Sequence, residues 1–235
     1  MQKRTKIITA SILAGVLALG ATAAIAGPIV YRDVIVGEAD AAPAVTVAPT
    51  ASSGSDATAA TGDLSGAWVV AGGSFAGYRV DEVLNGTDVT VTGRTDEVTG
   101  ELTVDGLTLT EAEFTVDVAS IATDSRNRDE YFRSNAMRAD EFPRATFVLT
   151  EPVVVDAAPA VGEVQTVTAT GELTLAGVTQ TVTVDLEAVL NGSGGQVAGS
   201  IPITFADFGV EAPDLGFVSV EPQGFVEFSL ELVRG

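Results

Sequence analysis

The sequence predicts an all-β fold: an antiparallel β-barrel of about eight strands with one short helix, preceded by an N-terminal transmembrane helix and a disordered linker. Three observations predict the barrel. Several segments alternate apolar and polar residues with period two, the signature of strands with one dry and one wet face. Asn-Gly pairs separate strand-like runs at Asn85-Gly86 and Asn191-Gly192. A single stretch, Ser120 to Phe147, breaks the alternation with a helical pattern and five arginines.

The alternation is clear in three places. Phe114, Val116 and Val118 face away from Glu113, Thr115 and Asp117. Val182, Val184, Leu186, Ala188 and Leu190 form one face of the next clear strand, and Val226, Phe228, Leu230 and Leu232 one face of the last. Valine and threonine are abundant, as pleated half-buried surfaces favour. Asn-Gly supplies the positive φ angles of a two-residue hairpin turn. Enough strands are present to close the sheet on itself and remove its edges.

The helix is expected between Asp124 and Met137. Asp124 can cap it. Asp124–Arg128 and Asp129–Arg133 have the spacing and order of favourable ion pairs. Tyr131, Phe132 and Met137 can pin it to the barrel, and Pro143 returns the chain to an extended path.

The first 32 residues read as a membrane segment. Lys3, Arg4 and Lys6 precede an uncharged run of 25 residues, Ile7 to Tyr31. As a helix this run would span ~37 Å against a hydrocarbon core of ~30 Å. Ala24-Ile25-Ala26 also fits a signal-peptide cleavage site, so an uncleaved anchor and a cleaved signal are both open. The cationic flank places the rest of the chain outside the cytoplasm. The expected location is the cell membrane, single-pass with the domain extracytoplasmic, or secreted if cleaved. Residues 33–62 are rich in Ala, Pro, Ser and Thr and read as a disordered stalk. Residues 63–235 form the barrel domain.

Composition removes other functions. The formal net charge is −20, which repels nucleic acid. Cysteine and histidine are absent. Disulfides, thiolate chemistry and histidine-based catalysis or metal binding go with them. No calcium-loop pattern stands among the acidic residues. The expectation is a protein that is not an enzyme and needs no cofactor.

Four motifs carry a resemblance. They are "SIATD" (Ser120–Asp124), "RDEYFRS" (Arg128–Ser134), "EFPRATF" (Glu141–Phe147) and "GELTLAGVTQTVTV" (Gly171–Val184), with "FADFGV" (Phe205–Val210) a weaker fifth. In this order and spacing the chain, from Gly66 to Val233, resembles the YceI-like lipid/polyisoprenoid-binding family. Phe132 stands where that pattern has leucine, and Ala176 where relatives often carry histidine. The resemblance implies an eight-stranded lipocalin-like barrel, some members of which hold an isoprenoid chain in the lumen.

The implied function is binding or carriage of a long-chain isoprenoid or similar apolar lipid. The residues expected to line the site are Phe114, Val116, Val118, Phe132, Phe142, Phe147, Leu149, Leu173, Leu175, Val184, Leu186 and Phe228. By periodicity alone these could equally be closed core. The alternative is therefore a non-catalytic cell-surface interaction module with a solid interior. The arginines could meet a lipid head group or form solvated salt bridges. Partners beyond the lipid are the membrane, through the N-terminal segment, and a second copy in a homodimer, which the sequence leaves open.

Overall fold

The computed structural model describes residues 39–47, 64–192 and 194–235. The uncharged run Ile7 to Tyr31 lies outside these residues. Among the described residues, no helix is long and apolar enough to cross a membrane.

The strands are β1 (Gly66–Val70), β2 (Phe75–Leu84), β3 (Thr87–Thr95), β4 (Val98–Asp105), β5 (Thr108–Asp117), β6 (Arg144–Leu149), β7 (Val153–Val154), β8 (Val164–Leu175), β9 (Val178–Asn191), β10 (Gly194–Thr204) and β11 (Val218–Arg234). Every pairing between them is antiparallel. β1 and β2 lie end to end along β11, and β3 and β4 lie end to end beside them. β6 and the short β7 both pair with β5. Counting each end-to-end pair once, eight strands close a ring, since β1 and β2 complete it against β11. Closure pairs β11 on both sides, while β3 has a strand partner only in β2.

The turns explain the register. Asn85 and Gly86 have φ of 50° and 78° between paired Leu84 and Thr87, the two-residue turn that Asn-Gly predicts. The second Asn-Gly is shifted by one residue. Asn191 is itself paired, with Gly194, and Gly192 carries the positive φ. A further hairpin turn, unforeseen, joins β8 to β9. Ala176 and Gly177 have φ of 47° and 81° there.

The helical segment is shorter than its pattern suggested. A 3₁₀ turn (Val118–Ser120) leads to α1 (Arg126–Tyr131), which widens into a π turn at Phe132–Ala136. Asp124 does not cap α1. Ser125 occupies that position, without a side-chain bond. Asp129 reaches back instead, accepting from the Thr123 N–H at 2.8 Å and the Thr123 hydroxyl at 2.7 Å. That contact buries Asp129 and takes it away from Arg133, so the expected Asp129–Arg133 pair is not formed. The Asp124–Arg128 pair is formed.

The expectation of a disordered linker over 33–62 is corrected for residues 39–47. This stretch lies without regular structure against the outside of the barrel. The Arg79 guanidinium donates to the Asp40 carbonyl at 2.6 Å, and that of Arg94 to the Ala41 carbonyl at 2.7 Å. Further along, the Thr46 N–H donates to Gln196 Oε1 at 2.6 Å, and Asn191 Nδ2 donates to the Thr46 carbonyl at 3.4 Å. Glu227, an outward-facing residue bonded to the same Arg79, is 1 % exposed. Composition missed this because the strap docks mainly through its backbone, which a low-complexity sequence supplies as well as any other, with Asp40 adding an ion pair to Arg94.

Candidate functional site

The inward faces of the strands pack into two apolar clusters and leave open space between their walls. One cavity of about 270 Å³ occupies the end of the barrel near Trp68 and Leu102. A second, of about 500 Å³, lies towards α1 and the loop before β11. The two meet at Ala76, Val116, Ala145, Leu175 and Val226, which border both. Native interiors pack with few voids larger than a water molecule, so this much apolar space is not ordinary core. Side by side the cavities approach the scale of ligand sites, about 300–1,000 Å³.

The structure gathers eleven of the twelve expected residues around this space. Phe114, Val116, Phe147, Leu149, Leu173, Leu175, Val184, Leu186 and Phe228 border the first cavity. Val118 and Phe132 border the second, which Val116 and Leu175 also reach. Phe142 borders neither. Its ring packs on Gly177, where a Cβ would come within 2.3 Å of it, and Arg138 lies 4.9 Å above it. Pro143 follows directly, and the chain turns outward before β6 begins. Trp68 also borders the first cavity and donates its indole N–H to the Leu64 carbonyl.

Sequence reasoning missed the polar groups of the second cavity. Tyr78 and Glu82 project inward from β2, alternating with Arg79 and Asp81 on its outer face. Their signal was the period-two run Ala76, Tyr78, Val80, Glu82, Leu84. Arg128 of α1 closes over them, 3.0 Å from Glu82, and also pairs with Asp124. Of the five clustered arginines, Arg128 alone borders a cavity. Burial by itself would lower its pKa, but the charge and hydrogen bond of Glu82 and the charge of Asp124 outweigh this and raise it. The site thus holds a compensated cation rather than a free one.

The Tyr78 ring stacks on Phe132, with centroids 4.8 Å apart. Its hydroxyl has no hydrogen-bond partner among the described residues. Burial pushes the phenol pKa well above its usual value, partly opposed by the nearby Arg128 charge. A raised folded-state pKa means that the unfolded chain ionises first. Stability from this group is complete below about pH 10 and is lost as pH rises further. Urea titrations at pH 9 and pH 11 should therefore show a loss of stability in the native protein that Tyr78→Phe reduces.

Among the described residues no cluster of His, Cys, Asp and Glu could hold a metal ion. What the arrangement can do is enclose a slender apolar molecule with a few polar contacts at one end.

Comparisons with known proteins agree with this geometry. Residues 68–232 match the YceI-like domain. A polyisoprenoid-binding domain from Saccharophagus degradans is similar in structure, with 23% identity and a TM-score of 0.59 over 73% of this chain and 99% of that one. BcnA from Burkholderia cenocepacia is similar at 23% identity and a TM-score of 0.52, over 66% of this chain and 95% of that one. No curated protein matches the sequence. With the match spanning most of the barrel, the chain belongs to the YceI-like family.

Proposed function

We propose that the barrel binds a long-chain isoprenoid or similar apolar lipid in its lumen and carries it outside the cytoplasm, without catalysing a reaction. The observation that carries this reading is the pair of abutting cavities walled mainly by Val, Leu, Ile, Phe and Ala, with polar groups gathered in the second. Each methylene moved from water into such a wall is worth ~0.8 kcal/mol. A chain of many carbons is thereby held without a strong polar contact. The name of the Saccharophagus relative, a polyisoprenoid-binding domain, supports the same ligand class. The solid-interior alternative is hard to reconcile with this much open space.

The test is direct. Organic extracts of natively purified protein should contain a polyprenyl lipid at near-equal molar ratio by mass spectrometry. Delipidated protein should take up a fluorescent polyprenol saturably. Extracts holding only detergent, with no saturable uptake, would overturn the reading.

A further inference from the structure

The second cavity opens beside a loop that carries large apolar residues into solvent. Leu215 is 55% exposed and Phe217 58%, and both border the cavity. The loop is built rather than loose. The Leu215 N–H donates to the Val218 carbonyl, the Val220 N–H to the Pro213 carbonyl, and the Asn85 N–H to the Phe217 carbonyl. It is thereby tied to the β2–β3 tip, and two exposed side chains stand at a lumen mouth. Apolar groups held in water in this way mark a contact surface.

The strap indicates what that surface meets. Its contacts advance along the barrel as its sequence advances. Asp40 and Ala41 engage Arg79 and Arg94, whose strand partners on β11 are Phe225 and, through Gly77, Glu227. Thr46 engages Gln196, whose partner is Glu231. The strap therefore runs away from the mouth, and its first residues lie nearer the mouth than its last. Seven residues, Arg32 to Glu38, separate it from the uncharged run that ends at Tyr31. Fully extended they reach about 24 Å. From Arg79 to Leu84, at the tip beside the loop, is about 17 Å along the strand. A bilayer that held Ile7 to Tyr31 would thus be within reach of the mouth. From Phe225 to Arg234, at the opposite end, is about 31 Å along β11, beyond that reach.

We propose that the Leu215–Phe217 lip docks on the surface of a lipid bilayer, so that the second cavity opens directly onto the membrane. The occupant is the interfacial region of a zwitterionic bilayer, since a net charge of −20 opposes an anionic one. Phe217 and Leu215 enter the headgroup boundary, and an apolar ligand passes from acyl chains to lumen without crossing water. This rests on the lipid-binding reading and adds which end of the barrel is the entrance.

The chain has no cysteine, so single probes can be placed cleanly. Ser219→Cys sits beside the lip and Asp105→Cys at the opposite end, and both positions are exposed strand residues. Each variant of the full chain is labelled with an environment-sensitive fluorophore and reconstituted in phosphatidylcholine vesicles with brominated acyl chains. The expected result is at least threefold stronger quenching at position 219 than at 105, abolished by Leu215→Ser with Phe217→Ser. Equal quenching, stronger quenching at 105, none at either position, or quenching that survives the double substitution would overturn the docking. Polyprenol bound in the same samples is extracted and measured separately. Bound polyprenol without quenching at 219 overturns the docking and leaves the binding reading standing. Quenching at 219 without polyprenol supports the docking and counts against the binding reading.

Discussion

Replacing Val226 with tryptophan is expected to weaken polyprenyl binding roughly a hundredfold while leaving the barrel folded. Val226 is half-buried on the inner face of β11 and borders both cavities where they meet. An indole there would project towards the open space, at the edge of the apolar cluster that Val226 packs against. The usual overpacking cost of about 1–3 kcal/mol should therefore be small. The lumen would be divided, so a ligand could occupy one half only. Losing three or four methylenes of burial at ~0.8 kcal/mol each corresponds to a roughly hundredfold weaker Kd. A fluorescent-polyprenol titration measures this, and circular dichroism checks the fold. Undiminished affinity in a folded Val226→Trp protein would show that the lumen is not the site. Val148→Trp is the matched control, since Val148 is exposed and borders neither cavity.

The second large effect concerns the outer face. Glu227 is 1 % exposed and lies 2.6 Å from Arg79 and 4.0 Å from Arg94. The same two guanidiniums donate to the strap, and Arg94 also pairs with Asp40 at 3.3 Å. Arg94 stacks over Phe75 at 4.4 Å, and its Nε is buried without a partner. Glu227→Ala removes the one buried anion between two cations. Breaking such a pair fully inside a protein costs about 3–5 kcal/mol. Both arginines keep some solvent contact, which brings the expectation to about 2–3 kcal/mol. For a domain of this size that lowers Tm by roughly 5–10 °C. The strap should also loosen, seen as faster hydrogen exchange at Val45 and Thr46, whose N–H groups are bonded to the barrel. Glu221→Ala, on the exposed part of β11, should change stability by no more than about 0.5 kcal/mol. Equal effects from the two substitutions would dismiss the cluster as a structural lock.

The contrast between lumen and outer face shows how far local pattern reaches. Phe114, Val184 and Phe228 could be assigned inward because a strand repeats every two residues, and that period is written in consecutive positions. Asn85-Gly86 could be placed at a turn because its backbone demands positive φ. Phe142 escaped the same logic. It precedes a proline, outside any strand, so no period set its direction, and it packed on the Gly177 turn instead. Asp129 escaped too. The i,i+4 rule described an isolated helix, whereas the six-residue α1 needed Asp129 to satisfy donors before its first turn. Short-range rules miss what a helix terminus requires of the loop it joins.

Whether inward residues make a core or a cavity was not legible at all. Alternation reports which side a residue faces, not how far apart the opposing walls stand. That distance depends on how eight strands close, and closure is decided between β11 and β1–β2, which stand at opposite ends of the domain sequence. The lock at Glu227 has the same origin. Its partner Arg79 is 148 residues away in sequence. The amino-acid order by itself determined the all-β class, the apolar face of each strand, and the motifs of the family, because these depend on neighbours a few residues apart. Tertiary structure alone decided that the interior stays open, that Tyr78, Glu82 and Arg128 meet inside it, and that a low-complexity segment is bound to the outer wall. Each of these requires surfaces distant in sequence to come together, and no local pattern encodes that distance.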